Sequence, residues 1–193
     1  MVLPGHLAGG YLAAWAALSF APAGTFSSNQ TAWLLTLGVL ASEGPDLDLL
    51  LYYFSEKRFF RQSQSAATKP SRRRHSHREY ITHAPLFWVL VSVLVSLTGV
   101  VINSPFVVWS GIMILVGSWS HLLLDSIEDG VLWFWPWHKK RKALFYPPET
   151  TWHGARGGFK YYAYILRHVY PKRLTFYLEL IITLVALWVA FHP

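Results

Sequence analysis

His121 and Asp125 stand four residues apart in an otherwise apolar stretch. On a helix that spacing places both side chains on one face, with Cβ atoms about 5–6 Å apart. Two ligands held that close on one rigid element can share a metal ion at little ordering cost. A second device is Pro45-Asp46-Leu47-Asp48, where the proline breaks a helix and lets two carboxylates project from a turn. His6, His83 and His77 add imidazoles, and Glu43 and Asp129 add carboxylates. The chain has no cysteine, so a metal or catalytic site must be made of His, Asp, Glu and hydroxyls. Imidazoles with carboxylates and no thiol suit a divalent ion, zinc first, with manganese or iron as alternatives.

Each residue also has a plainer reading. His121 with Asp125 would serve as a buried ion pair locking two helices, and Asp46 or Asp48 would cap a helix after the proline break. His6 would be a terminal polar residue, and His77 a solvated member of a basic run. Glu43 would relay an ion or pair with a nearby cation. The metal reading is preferred because four separate stretches deliver ionisable groups to one membrane depth, where polar side chains are expensive.

The elements that must position these residues are hydrophobic. Of 193 residues, 53% are hydrophobic and only 14% charged, whereas a soluble domain carries about a quarter charged. Residues 84–102 and 106–124 are uncharged runs of 19 residues separated by Asn103-Ser104-Pro105, which predicts a helical hairpin across a bilayer. Residues 176–191 form a third run, interrupted by Glu179, and the Ala- and Gly-rich 7–22 a fourth. The stretch ending at Ala21-Pro22-Ala23 partly resembles a signal peptide. With no Lys or Arg before it, it reads as a retained first helix. Residues 31–54 are a fifth segment, broken by the acidic Pro45 turn, which spans or re-enters. The expected fold is all-α: a polytopic membrane bundle of about five hydrophobic helices within one integral membrane domain, 1–193.

Charge sets the orientation. All 17 Lys and Arg lie in two segments, eight between Lys57 and Arg78 and nine between Lys139 and Arg173. With five spans and a cytoplasmic N-terminus, both fall within cytoplasmic loops, 55–83 and 125–174, and the C-terminus lies outside. The net charge of +7 is then explained by anionic headgroups beside the membrane, and nucleic acid is disfavoured as a partner. Trp133, Trp135 and Trp137 read as an interfacial anchor. Residues 161–169 read as a cytoplasmic amphipathic helix lying on the membrane. Arg156, flanked by glycines, is a candidate phosphate contact.

His6, Pro45-Asp46-Leu47-Asp48, His77-Arg78 with Thr82-His83, and Gly117 with His121 and Asp125 occur in an order that resembles the bacterial inner-membrane-associated metal-dependent hydrolases of the LexA-binding type. Asp129-Gly130 and Trp135-Pro136 extend the resemblance over roughly the first 140 residues. A more distant likeness is to zinc-dependent phospholipases C. It implies His6, Asp46 or Asp48, His83, His121 and Asp125 as ligands, although the second His-x-x-x-Glu helix of those enzymes is missing here.

The resulting expectation is a metal-dependent hydrolase at the cytoplasmic face of the inner membrane, acting on a phosphoester or another lipid-linked bond. Asp46 or Asp48 would act as base or complete the metal shell, and Arg78 and Arg156 would bind substrate. Two other readings use the same residues differently. One is a scaffold whose basic loops bind a protein partner or anionic lipid. The other is a transporter with Glu43 and Asp46 on its path.

Overall fold

The computed structural model describes residues 3–47, 80–138, 140–145 and 165–192. Five α-helices account for most of them: α1 (Leu3–Leu18), α2 (Ser28–Ser42), α3 (Pro85–Val101), α4 (Pro105–Glu128) and α5 (Leu174–Phe191). Among the described residues there is no strand, and Val131 and Lys142 form an isolated antiparallel bridge.

Local chemistry sets the ends of these helices. Ser27 opens α2 with a capping box: its hydroxyl accepts from Gln30 N at 3.3 Å, and Gln30 Oε1 accepts from Ser27 N at 3.0 Å. Pro85 and Pro105 occupy the first turns of α3 and α4, where a missing N–H costs nothing. Between these two helices Asn103 takes a left-handed φ of 53°, a conformation asparagine tolerates, and closes the hairpin. Gly130, at φ 83°, ends α4; the N–H groups of Asp129 and Gly130 both donate to the Asp125 carbonyl, at 3.0 and 2.8 Å.

Helix α4 is the hub, packed by α1, α2 and α3, while α5 lies mainly against α1. The α3–α4 seam is bridged by hydroxyls, Ser92 Oγ donating to the Gly111 carbonyl at 2.7 Å and Ser96 Oγ to that of Val108 at 3.1 Å. Helices α1, α2 and α4 meet through small residues. A Cβ on Gly38 would lie 2.4 Å from that of Ala14, and one on Gly117 only 2.2 Å from the Gly38 carbonyl oxygen. Backbones this close are how helices associate where apolar burial supplies little drive.

Among the described residues, many large apolar side chains are exposed and several ionisable ones are buried. Leu90, Leu94, Leu97 and Val101 of α3 and Leu180, Ile181, Leu184 and Trp188 of α5 are exposed, while His6, His83, His121, Asp125, Glu128 and Glu179 are buried. That inverts the pattern of a water-soluble domain and suits a hydrocarbon solvent.

The expectation of about five membrane-crossing helices is corrected. Only α4, with 24 residues, and α5, with 18, are long and apolar enough to cross a membrane among the described residues. Helix α3 is apolar but has 17 residues, and α1 and α2 have 16 and 15. A hydrocarbon core of about 30 Å calls for about 20 residues. The segment expected at 31–54 loses length because its helix stops at Ser42, ahead of a 3₁₀ turn over Pro45–Leu47. The run expected at 106–124 is instead longer and carries Asp125 and Glu128 inside the helix. In place of a regular amphipathic helix at 161–169, residues Ile165–Val169 make one π-helical turn, followed by a 3₁₀ turn at Tyr170–Lys172. Residues 161–164 lie outside the described part of the chain.

Candidate metal centre

His6 sits in the first turn of α1, which is docked from outside the helix. Gly5 N donates to Glu179 Oε1 of α5 at 3.0 Å, and Glu179 also accepts the hydroxyl of Tyr170. A Cβ at Gly5 would come within 2.6 Å of Glu179 Cγ, so glycine is what admits this carboxylate beside His6. Asp46 is carried by the 3₁₀ turn after α2, where its N–H donates to the Glu43 carbonyl at 3.1 Å. His83 ends a second 3₁₀ turn, Ile81–His83, just before α3. One indole braces both turns. The ring of Trp88 lies where a Cβ on Gly44 would meet it at 2.5 Å, and its Nε1 donates to the Thr82 carbonyl at 2.7 Å. His121 and Asp125 come from adjacent turns of α4.

These five side chains converge at one end of the bundle. Asp46 Oδ1 lies 3.5 Å from His83 Nε2 and 3.7 Å from His121 Nε2. Asp125 Oδ2 lies 3.9 Å from His83 Nε2 and 3.7 Å from His121 Nε2. The other oxygen of Asp125, Oδ1, turns to His6 Nε2 at 3.4 Å. The rings of His6 and His121 stack with centroids 3.8 Å apart, and His83 meets His121 edge-on at 5.7 Å. His83, His121 and Asp125 are fully buried and His6 nearly so, while the Asp46 side chain is 26% exposed and forms the open rim.

The separations fit donors that share a cation. Two donors bound to a tetrahedral zinc at about 2.0–2.1 Å stand about 3.4 Å apart. A nitrogen–oxygen hydrogen bond is shorter, at about 2.7–3.2 Å. Nδ1 and Nε2 of His121 and Nδ1 of His6 are buried with no hydrogen-bond partner, an arrangement that usually calls for an ion or a water. Two overlapping groups, His6 with His121 and Asp125, and Asp46 with His83 and His121, could each hold a metal ion.

Other residues singled out from the sequence lie elsewhere. Asp129 turns to Arg173, with 3.5 Å between Oδ1 and Nη1, and its carbonyl accepts from Arg141. Glu43 closes α2 and is partly buried, with Oε1 buried and unpartnered. Asp48, His77, Arg78 and Arg156 lie outside the described residues.

Sequence reasoning missed two structural carboxylates. Glu128 Oε1 accepts from Leu174 N at 3.1 Å and Oε2 from Thr175 Oγ1 at 2.6 Å, which caps the start of α5. Glu179 ties α5 to α1. Its position inside an apolar run was a signal that it has a buried partner.

A family model described as YdjM inner membrane protein matches residues 1–192. The chain belongs to the YdjM inner membrane protein family. Membership of the YdjM family supports a bacterial inner-membrane protein, in keeping with the apolar α4 and α5. It does not extend to metal-dependent hydrolysis or LexA binding, the finer features of the resemblance. No curated protein and no solved structure matches this YdjM family member.

Proposed function

We propose that this chain is a membrane-embedded, metal-dependent hydrolase that works at the cytoplasmic face on a phosphoester or another lipid-linked bond. The observation that carries the reading is the convergence of two imidazole nitrogens, from His83 and His121, and two carboxylate oxygens, from Asp46 and Asp125, at 3.5–3.9 Å. These residues would hold a divalent cation, zinc in first place for such a donor set. A cation held there would lower the pKa of a bound water and stabilise negative charge on the group under attack.

The chain's own residues supply the rest. Buried His83, His121 and Asp125 keep bulk water away from three sides, and the exposed edge of Asp46 leaves one approach for substrate. From that edge Asp46 can orient the attacking water. Hydrolysis places the water oxygen on phosphorus and a proton on the leaving alkoxide. Arg78 and Arg156 would meet the phosphate, and Asp48 would assist Asp46. The exposed apolar faces of α3 and α5 favour a lipid substrate that enters sideways. In this reading the apolar helices lodge in the bilayer with the N-terminus cytoplasmic and the C-terminus outside, and the basic loops rest on anionic headgroups.

The test is turnover of phospholipid mono- and diesters by the reconstituted chain, alone and with His83→Ala or Asp46→Asn. Loss of an outer partner of a metal ligand costs roughly 10–100-fold in activity, so loss of a ligand should cost at least that. Undiminished turnover in both variants would remove the basis for the proposal.

A further inference from the structure

The segment that follows α4 is pinned to the helix it leaves. Val131 and Lys142 exchange both backbone hydrogen bonds at 3.0 Å, and the N–H groups of Leu144 and Phe145 donate to the Ser126 and Ile127 carbonyls at 2.8 Å. Trp133 Nε1 donates to Ser126 Oγ at 2.9 Å, and Leu132 N to the His83 carbonyl at 3.3 Å, which sets the segment at the polar end of the bundle.

What this loop displays is aromatic and basic. Phe134, Trp137, Leu144 and Phe145 are exposed. Residues 130–148 hold Lys139, Lys140, Arg141 and Lys142 and no acidic residue. Lys142 Nζ stands 4.5 Å from the centre of the Phe134 ring, which fixes where the ammonium sits. Trp137, His138, Lys140 and Lys142 line an open cleft of about 500 Å³, the size of a small-molecule site. Ammonium groups, with an imidazole that carries an N–H donor in either tautomer, make that lining a donor set for an anion. The indole beside them belongs at the depth of lipid headgroups. A water-soluble anion has no use for the exposed Leu144 and Phe145, whereas a phospholipid brings acyl chains that cover them.

We infer that this cleft is a discrete binding site for the headgroup of an anionic phospholipid, with Lys140 and Lys142 on the phosphate, His138 beside them and the Trp137 indole against the glycerol backbone. The site narrows the role of this basic loop from diffuse attraction to one bound lipid. It rests on the reading of the basic loops as headgroup contacts, and it stands whether or not the metal centre turns over substrate.

The experiment is native mass spectrometry of delipidated, detergent-purified full-length chain titrated with dioleoyl phosphatidylglycerol, dioleoyl phosphatidylcholine or inorganic phosphate. A neutral detergent lacks the surface potential of an anionic membrane, so the titration reads contacts. Phosphatidylglycerol is expected to bind as a single lipid per chain at concentrations where phosphatidylcholine and phosphate do not. Lys140→Gln and Lys142→Gln should each weaken it about five-fold, the worth of one basic residue at an anionic surface. Both side chains are exposed, and the bonds of Lys142 to Val131 are main-chain, so the fold is kept. Lys172→Gln, which alters an exposed lysine just before α5, is the matched control and should bind like wild type. Equal weakening in all these variants would leave only diffuse attraction and overturn the site. Equal binding of both lipids would overturn the site and the headgroup reading of the basic loops together. Phosphate binding as tight as that of phosphatidylglycerol would overturn the lipid as occupant.

Discussion

At the scale of single residues, buried carboxylates in this chain have two kinds of work. Asp125 faces the imidazoles of His6, His83 and His121 at 3.4–3.9 Å, whereas Glu128 and Glu179 accept shorter bonds from the backbone and hydroxyls of other helices. The second kind is structural and can be tested without metal. Glu179→Ala removes the acceptor from Gly5 N and from the Tyr170 hydroxyl, and should destabilise the chain by about 1–3 kcal/mol, the penalty for orphaned buried donors. Glu179→Gln keeps an acceptor and should lose less. Equilibrium unfolding in detergent reads both, and an unchanged midpoint for Glu179→Ala would contradict the role. The difference between the two kinds of carboxylate was only half legible in the sequence. The spacing of His121 and Asp125 depends on one helix, so the three residues between them suffice to read it. Glu179 and Gly5 are 174 positions apart, and no local pattern links them.

At the scale of elements, the centre exists because helices α1, α2 and α4 approach at backbone distance. Gly117 faces the Gly38 carbonyl, which cannot give way as a side chain can. Gly117→Ala should therefore push α2 and its Asp46 turn away from His121, and weaken metal binding by about 10–100-fold with every ligand retained. Gly9→Ala is the matched comparison, because its Cβ would meet only the flexible tip of Leu124, at 2.8 Å, and it should bind metal like wild type. Metal titration separates the two, and equal affinities would show that the close approach is not what places Asp46. The places of the apolar helices among the described residues could be read from the sequence, but their lengths could not. The apolar run around Thr31 continues past the acidic residues, whereas the helix ends at Ser42, where Gly44 and Pro45 favour a turn over another helical residue.

At the scale of the whole molecule, the described residues expose apolar side chains on α3 and α5 and bury ionisable ones, which are concentrated at one end. His6 opens α1, Asp46 follows α2, His83 precedes α3, and His121 and Asp125 lie in the last turns of α4. Antiparallel succession of the helices brings those positions to the same level, which is why ionisable residues scattered through the sequence could be read as one group. What could not be read was how each helix is held there. Trp88 braces two turns, and Glu128 starts α5 from the end of α4, contacts that depend on packing rather than on spacing. The chemistry proposed for this end of the bundle requires that it bind a metal ion. Elemental mass spectrometry on chelator-free, detergent-purified protein, wild type beside His121→Ala, tests it directly. Stoichiometric zinc, manganese or iron is expected in the wild type, and its loss in the variant. Metal-free protein in both samples after resupply, or equal metal content in both, would contradict it.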